Sequence, residues 1–551
     1  MSVLNTTRSI HCRYFGNPSY EKIIKEFPPF FAQQFADGIT NRILNLSKGS
    51  TMAGRFLRLF SPFHRITMEV KQPDREVTFK DKMIYTIVVL IIYIVMSVTP
   101  IYGVDISQGT DYFYWLRVIL ASQRGTLTEL GIGPIVTAGL IMQLLMGSKL
   151  IEVNMSDPAD RALFTGAQKV LAILLTIFQG LAYIYGGAFG EIESAGAKIL
   201  IFIQLLAAGQ IIILLDEVLQ KGWGLGSGVS LFIAAGVAGQ IFWNSFSWIP
   251  ITGTGTDGLP RGILISFFYV LFTDRTSPID GSKLDVWDLI IRPENAPGIL
   301  GFITTIIIFF MVIYVESMRV EIPLTYAGFK GYKGKYPMKL LYVSNIPVIL
   351  VQALYANLLF FGQLIAGPNS NLRASGNNTW WLNLIGVFEA QEGQTSGYLQ
   401  PTSGLIYYLT PPRGLYYLIY EPNNMMWIQL ILYSTIFIVL CVGFGRIWIE
   451  VSGLAPRDIA QQILNSKMQI PGFRRSEKVI EKILKRYIPT LTALCGIIVG
   501  VFSVLADTLG SLSSGTGLLL CVGIIQNYAE TISKEVAAEQ YPAMRSLLGL
   551  S

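Results

Sequence analysis

Charge is what this chain is short of. Of its 551 residues only 14% are Asp, Glu, Lys or Arg, where a water-soluble globular chain carries about 25%. Histidine is almost absent: His11 and His64 both precede the first long apolar run. A histidine-based metal site or acid–base pair inside the apolar region is therefore excluded. The four cysteines, Cys12, Cys441, Cys495 and Cys521, have no paired ligand spacing, and the last three lie in apolar runs. They read as small core residues rather than disulfides or metal ligands. The glycine-rich GWGLGSG from Gly222 lacks a lysine and leads into an apolar helix, which argues against a phosphate loop. No cofactor is expected, and no nucleophile elbow or pair of membrane aspartates marks a protease.

What is present is hydrophobic length. Apolar residues make up 52% of the chain, and they recur in uncharged runs of about twenty, the length a helix needs to cross the hydrocarbon. The expected fold is all-α and polytopic, with ten spans near 83–102, 130–150, 166–187, 197–219, 225–247, 299–318, 339–365, 425–446, 487–506 and 512–533. The second span, LGIGPIVTAGLIMQLLM from Leu130, holds three glycines and a proline, so a loosened or kinked helix is expected there. Before it, DYFYWLRVILAS (from Asp111) is too short to cross and is broken by Arg117, which suits a re-entrant segment. Residues 1–51 read as an N-terminal extension, either a disordered tail or sequence ahead of a start at Met52.

With ten spans both termini share a side, and that side holds most of the Lys and Arg, so both termini are expected in the cytoplasm. Two loops there stand out. The one after span six contains Arg319, Lys330, Lys333, Lys335 and Lys339. The one after span eight contains GFRRSEKVIEKILKRY, in which Val479, Ile483 and Leu484 suggest a short amphipathic helix. Both are long for topology signals alone and suit docking of an acidic partner such as ribosomal RNA, anionic lipid or acidic protein. The external loops near 248–298 and 366–424 are rich in Gly, Pro, Asn, Thr and Ser and show no function.

Spans one to five echo spans six to ten. IGPIVTAGLIMQLL from Ile132 matches SNIPVILVQALYANLL from Ser344, and SGVSLFIAAG from Ser227 matches SGTGLLLCVG from Ser514. Five spans per half make the halves opposite in orientation, the inverted-repeat plan. Aligning Pro134 with Pro347 pairs Val136 with Ile349; aligning Gly228 with Gly515 pairs Ile233 with Leu520. Acidic and basic residues, including Asp216, Glu217, Glu316 and Asp507, fall near span ends, where an ion-coupled carrier keeps a charge mid-membrane. Neutral Thr137, Gln143, Gln179, Asn345 and Gln352 occupy the interiors, which suits either ordinary helix–helix hydrogen bonding or a neutral cluster holding two movable helices together. A secondary transporter for a small solute is the alternative to a passive pore.

Taken together, TLTELGIGPIVTAGLIMQLL, DPADRALFTGAQK, GSGVSLFIAAGV, GKYPMKLLYVSNIPVIL, IPGFRRSEKVIEKILKRYIP and GSGTG resemble SecY, the family of central subunits of the Sec protein-conducting channel, in its archaeal and eukaryotic branch. The resemblance spans Met52 to Ser551. It implies two inverted halves, 52–248 and 299–551, joined through 249–298, opening across the membrane for secreted chains and sideways for membrane segments. It implies a pore ring of Ile132, Val136, Val229, Ile233, Ile349 and Leu520, and a plug at 109–124 with Tyr112, Trp115, Leu116 and Ile119. A polar cluster of Thr137, Gln179 and Asn345 would line the side opening, and Lys330, Lys333, Lys335, Arg474 and Arg475 would dock a ribosome. The implied partners are SecE, a small β or SecG-type subunit, the ribosome with its nascent chain, signal peptides, unfolded polypeptides and membrane lipid. The implied location is an archaeal plasma membrane.

Overall fold

The computed structural model describes residues 69–75, 77–104, 121–148, 150–151, 153, 158–186, 188–189, 192, 194–250, 258–272, 286–292, 296–326, 333–343, 346–367, 380–390, 399–411, 419, 424–465, 468–469 and 476–540. The first half is α1 (Phe79–Val98), α2 (Gly133–Gly147), α3 (Pro158–Tyr185), α4 (Ala195–Val218) and α5 (Gly228–Phe246). The linker contributes a short helix, α6 (Ile263–Phe272). The second half opens with α7 (Ile299–Ser317), the strands β1 (Arg319–Tyr326) and β2 (Lys333–Lys339), and α8 (Ile346–Ala366). After α9 (Trp380–Ile385) and the pair β3 (Val387–Ala390) and β4 (Leu399–Ser403) come α10 (Asn424–Val451), α11 (Pro456–Asn465), β5 (Met468–Gln469), α12 (Glu477–Thr508) and α13 (Gly515–Gln540).

Eight of these helices are long and apolar enough to cross a membrane, and α2 and α13 complete the ten expected crossings. α13 falls outside the eight because Gln526, Asn527 and Glu530 end its apolar run early. α2 has 15 residues, about 22 Å of helix, which is shorter than the span expected at 130–150. Its entry is irregular chain instead, with Gly131 at positive φ and Thr128, Glu129, Leu130 and Ile132 all buried. Non-helical backbone survives at membrane depth when protein surrounds it. Pro134 lies in the first turn of α2, where its missing N–H leaves no bond unmade. The proline starts this helix; it does not kink it.

The echoed Ser-Gly pairs have a shared physical cause. At the start of α5, Val229 N–H and the Ser227 hydroxyl donate to Asp216 Oδ1 at 3.0 and 3.3 Å. At the start of α13, Gly515 N–H donates to Asp507 Oδ1 at 2.6 Å. Each carboxylate sits near the end of the preceding helix, α4 or α12, and satisfies donors that a helix start leaves unpaired. The glycines let the two helices approach. A Cβ at Gly228 would lie 2.6 Å from Asp216 Cα, and one at Gly515 would lie 2.2 Å from Ser503 O.

On the side of the β1–β2 hairpin, β5 adds to β1 through Thr325–Gln469 and Tyr326–Met468, giving the order β2-β1-β5. The two basic loops are thereby tied together. The short amphipathic helix expected around 479–484 is instead the first turns of α12, a continuous helix of 32 residues with Pro489 inside it. Ile480 and Leu484 are buried, so packing carries the helix past the membrane end. α11 was not foreseen; it buries Ile459, Ala460 and Ile463. The three cysteines of the apolar runs are buried and unbridged.

The Gly515→Ala variant is expected to lose about 1–3 kcal/mol of stability, the usual cost of forcing a methyl into a packed site. Gly239→Ala in α5 has nothing within 4 Å and should be neutral. Thermal unfolding of the two purified variants in detergent reads the difference; equal midpoints would refute the close-approach role.

Candidate channel and side opening

Six residues assigned to a ring by resemblance fall in one apolar cluster. Ile132, Ile233 and Leu520 are fully buried in it, and Val136, Val229 and Ile349 pack against it half-buried. They come from the entry of α2 and from α2, α5, α8 and α13, two helices of each half. One turn beyond this cluster, toward the linker side, a cavity of ≈ 1000 Å³ begins, lined by Gly236 and Gly239 of α5, Gln352 of α8 and Thr516 of α13. Gln352 Nε2 donates to Thr516 Oγ1 at 3.1 Å at that boundary, so the neutral interior glutamine bridges two helices as expected. Farther out the cavity wall is polar, with Gln240, Asn244, Arg261 and Ser513. Arg261 donates to Asn244 Oδ1 at 3.0 Å, Asn244 donates to the Leu512 carbonyl at 2.7 Å, and Ser513 donates to Gln240 at 3.1 Å. These bonds join the end of α5 to the turn before α13, that is, one half to the other. The apolar cluster thus borders a cavity with a polar outer wall.

The expected plug residues Tyr112, Trp115, Leu116 and Ile119 lie outside the described residues. The chain that follows them is fixed by Tyr93 of α1, whose hydroxyl donates to the Ala121 carbonyl at 2.8 Å. The Tyr93 ring stacks on Phe232 at 4.4 Å. Tyr93 was not singled out from the sequence; an isolated tyrosine in an apolar run gives little signal.

The side interface lies where α2 and α3 meet α8 and α10. Asn357 Nδ2 donates to Thr137 Oγ1 at 3.0 Å, linking α8 to α2. Tyr183 stacks on Phe360 at 5.7 Å and Phe178 meets Phe361 at 6.0 Å, linking α3 to α8. Gly147 of α2 lies against Ile447 of α10. Thr137 is thus at the interface as expected. Gln179 is buried on α3, and its Oε1 accepts no hydrogen bond among the described residues. Asn345 lies outside the described residues, and the asparagine bonded to Thr137 is Asn357, three turns farther along α8. Asn357 was legible as a polar residue in the matched repeat but was not chosen.

Of the docking residues, Lys330, Arg474 and Arg475 lie outside the described residues. Lys333 begins β2. Lys335 is exposed and pairs with Glu321 across the hairpin. Lys339 is spent otherwise: it pairs with Glu530 of α13 at 2.9 Å, with Arg319 at 3.6 Å from the same carboxylate. The hairpin itself was missed, although Val320, Ile322 and Leu324 alternate with Arg319, Glu321 and Pro323 at the strand period. At its base, burial pushes the Tyr336 phenol up, and burial with the neighbouring Tyr336 does the same to Tyr342. Both stay protonated, and Tyr342 donates to the Leu454 carbonyl at 3.1 Å.

Ten membrane helices in two inverted halves, closing on an aliphatic centre, make this a multi-pass membrane protein with a channel architecture. A model of the SecY family matches residues 126–529, and one for the plug domain of Sec61p matches residues 91–125. The chain is 41% identical over 492 residues to the protein transport protein Sec61 subunit alpha of Dictyostelium discoideum, covering 88% of this chain and 98% of that one. Among solved structures, a protein-conducting channel matches at 39% identity and a TM-score of 0.69, over 88% of this chain and 98% of its own. Sec61 in the canine ribosome–channel complex from the endoplasmic reticulum matches at 38% and 0.66, with the same coverage. The chain belongs to the SecY family.

A double-mutant cycle over Thr137→Val and Asn357→Ala should return a coupling of about 0.5–1.5 kcal/mol, the net worth of one buried hydrogen bond. Unfolding of the four proteins in detergent measures it, and additive effects would remove the bond from the interface.

Proposed function

We propose that this chain is the pore-forming subunit of a Sec-type protein-conducting channel, passing unfolded chains across the membrane and releasing membrane segments sideways into lipid. The observation that carries the reading is that six aliphatic residues from four helices of both halves share the main apolar cluster, one turn from a polar-walled chamber. A gasket of branched aliphatic side chains seals by packing and deforms around any sequence, which suits a substrate defined by being unfolded. The relatives are translocation channels, not enzymes, and give the solute-transporter alternative no support. Residues Ile132, Val136, Val229, Ile233, Ile349 and Leu520 form the ring in this reading, 109–124 the plug, and Thr137, Gln179 and Asn345 the polar part of the side gate, with Asn357 bonded to Thr137 beside them.

The basic hairpin side faces the cytoplasm, with both termini, and it docks a ribosome through Lys330, Lys333, Lys335, Arg474 and Arg475. Support comes from the clustering of positive charge and from the ribosome complexes named for the solved relatives. SecE and a small β or SecG-type subunit complete the channel, and signal peptides enter at the side gate. The membrane is the endoplasmic reticulum, the source of the canine relative, or its archaeal counterpart, the plasma membrane.

Ile233→Ser and Ile349→Ser should each raise the ion conductance of the resting channel severalfold in planar bilayers, because a hydroxyl lets water bridge the seal. Unchanged conductance in both would sink the gasket. Reversing Arg474 and Arg475 to Glu should weaken ribosome binding at least tenfold without lowering the unfolding midpoint. Equal affinity in a sedimentation assay would return those charges to topology alone.

A further inference from the structure

The linker between the halves contains α6, whose sequence ILISFFYVLF holds no charge and no amide side chain. Ten residues give about 15 Å of helix, enough for one leaflet and half of what a crossing needs. Ile263 and Ser266 are buried against the protein, while Phe268 and Leu271 are more than half exposed and Phe272 is 80% exposed. A face of this kind does not suit water.

Its setting is built rather than loose. Gly262 N–H donates to the Ser247 carbonyl and Arg261 N–H to the Ile249 carbonyl, both at 2.9 Å, welding the helix start to the end of α5. A Cβ at Gly262 would lie 2.5 Å from Ser247 N, so the close approach depends on glycine. From the other end of the linker, Arg292, 2% exposed, donates to Ser266 Oγ at 3.4 Å and to the Pro297 carbonyl at 3.3 Å. The exposed face therefore has a fixed direction. It lies beside the end of α5, where Phe242 and Phe246 are exposed, with Trp248 and Ile249 just beyond. Tryptophans at the end of a spanning helix mark the membrane–water boundary.

We propose that α6 is a one-leaflet anchor, its face of Phe268, Leu271 and Phe272 seated in phospholipid on the linker side of the membrane. Phospholipid is the occupant because the face lies beside the exposed aromatic residues of α5, at its tryptophan-marked end. The anchor holds the joint between the two halves at a set depth, so any hinging of one half on the other works against that leaflet. The seating in lipid does not depend on the channel reading; only this consequence for opening does.

The test places the photo-reactive analogue p-benzoylphenylalanine at 268, 272 and, as a reference on the polar hairpin, 335 in the full chain within phosphatidylcholine nanodiscs. Aromatic-for-aromatic replacement at 268 and 272 leaves folding intact. Mass spectrometry after irradiation is expected to find at least tenfold more phospholipid adduct at 268 and 272 than at 335. Lipid adduct no higher than at 335, or adducts at both positions to protein or to a second copy of the chain, would overturn the anchor.

Discussion

Two buried carboxylates fix where the central helices begin. Asp216 and Asp507 each stand near the end of a fourth helix and receive the first backbone donors of the fifth, α5 and α13. Capping a helix start is worth about 0.5–2 kcal/mol, which is modest. The geometric consequence is larger. With no Cβ at Gly228 and Gly515 the fourth and fifth helices of each half meet backbone to backbone, so neither fifth helix can slide along its axis. Ile233 lies five residues after the first glycine and Leu520 five after the second. One carboxylate works on the hairpin side and the other on the linker side. Two starts fixed from opposite faces bring both side chains into one apolar cluster.

The cluster and the side interface are held by different contacts. The cluster is dense apolar packing, with Ile132, Ile233 and Leu520 inaccessible to water. Besides apolar packing such as Gly147 against Ile447, the side interface has a neutral hydrogen bond and two aromatic contacts among the described residues, each worth about 1 kcal/mol. Lipid tails are as apolar as the side chains they would replace, so parting these helices forfeits little hydrophobic energy. The halves are also tied on the linker side, where Gln240 and Asn244 at the end of α5 make neutral hydrogen bonds to the turn before α13.

Composition and run length placed most of the crossings, because a helix needs about twenty apolar residues to span the hydrocarbon. The repeat identified the central helices and, through Gly228 and Gly515, their register. What stayed hidden was set by contacts distant in sequence. Nothing local to Asn357 distinguishes it from Asn345; only the approach of α2 makes it the partner of Thr137. The short helix α2 could not be read because its buried entry loop is as apolar as a helix. The hairpin was legible in principle from its alternation, but the density of lysine and glycine in that loop drew attention to charge instead of period.

Charge in that hairpin divides between two tasks. Lys335 is exposed at the side of β2 and pairs across the hairpin with Glu321. Lys339 and Arg319, at its root, converge on Glu530 of α13, and Lys82 at the start of α1 reaches Glu535 one turn later at 2.6 Å. These root pairs are partly shielded, so they are screened less than surface pairs, and Glu530 holds the strand pair to the same helix that bears Leu520. Ten residues, about 15 Å of rigid helix, separate Glu530 from Leu520. Glu530 thus ties the root of the hairpin to the helix that carries Leu520, and Asp507 caps the start of that same helix.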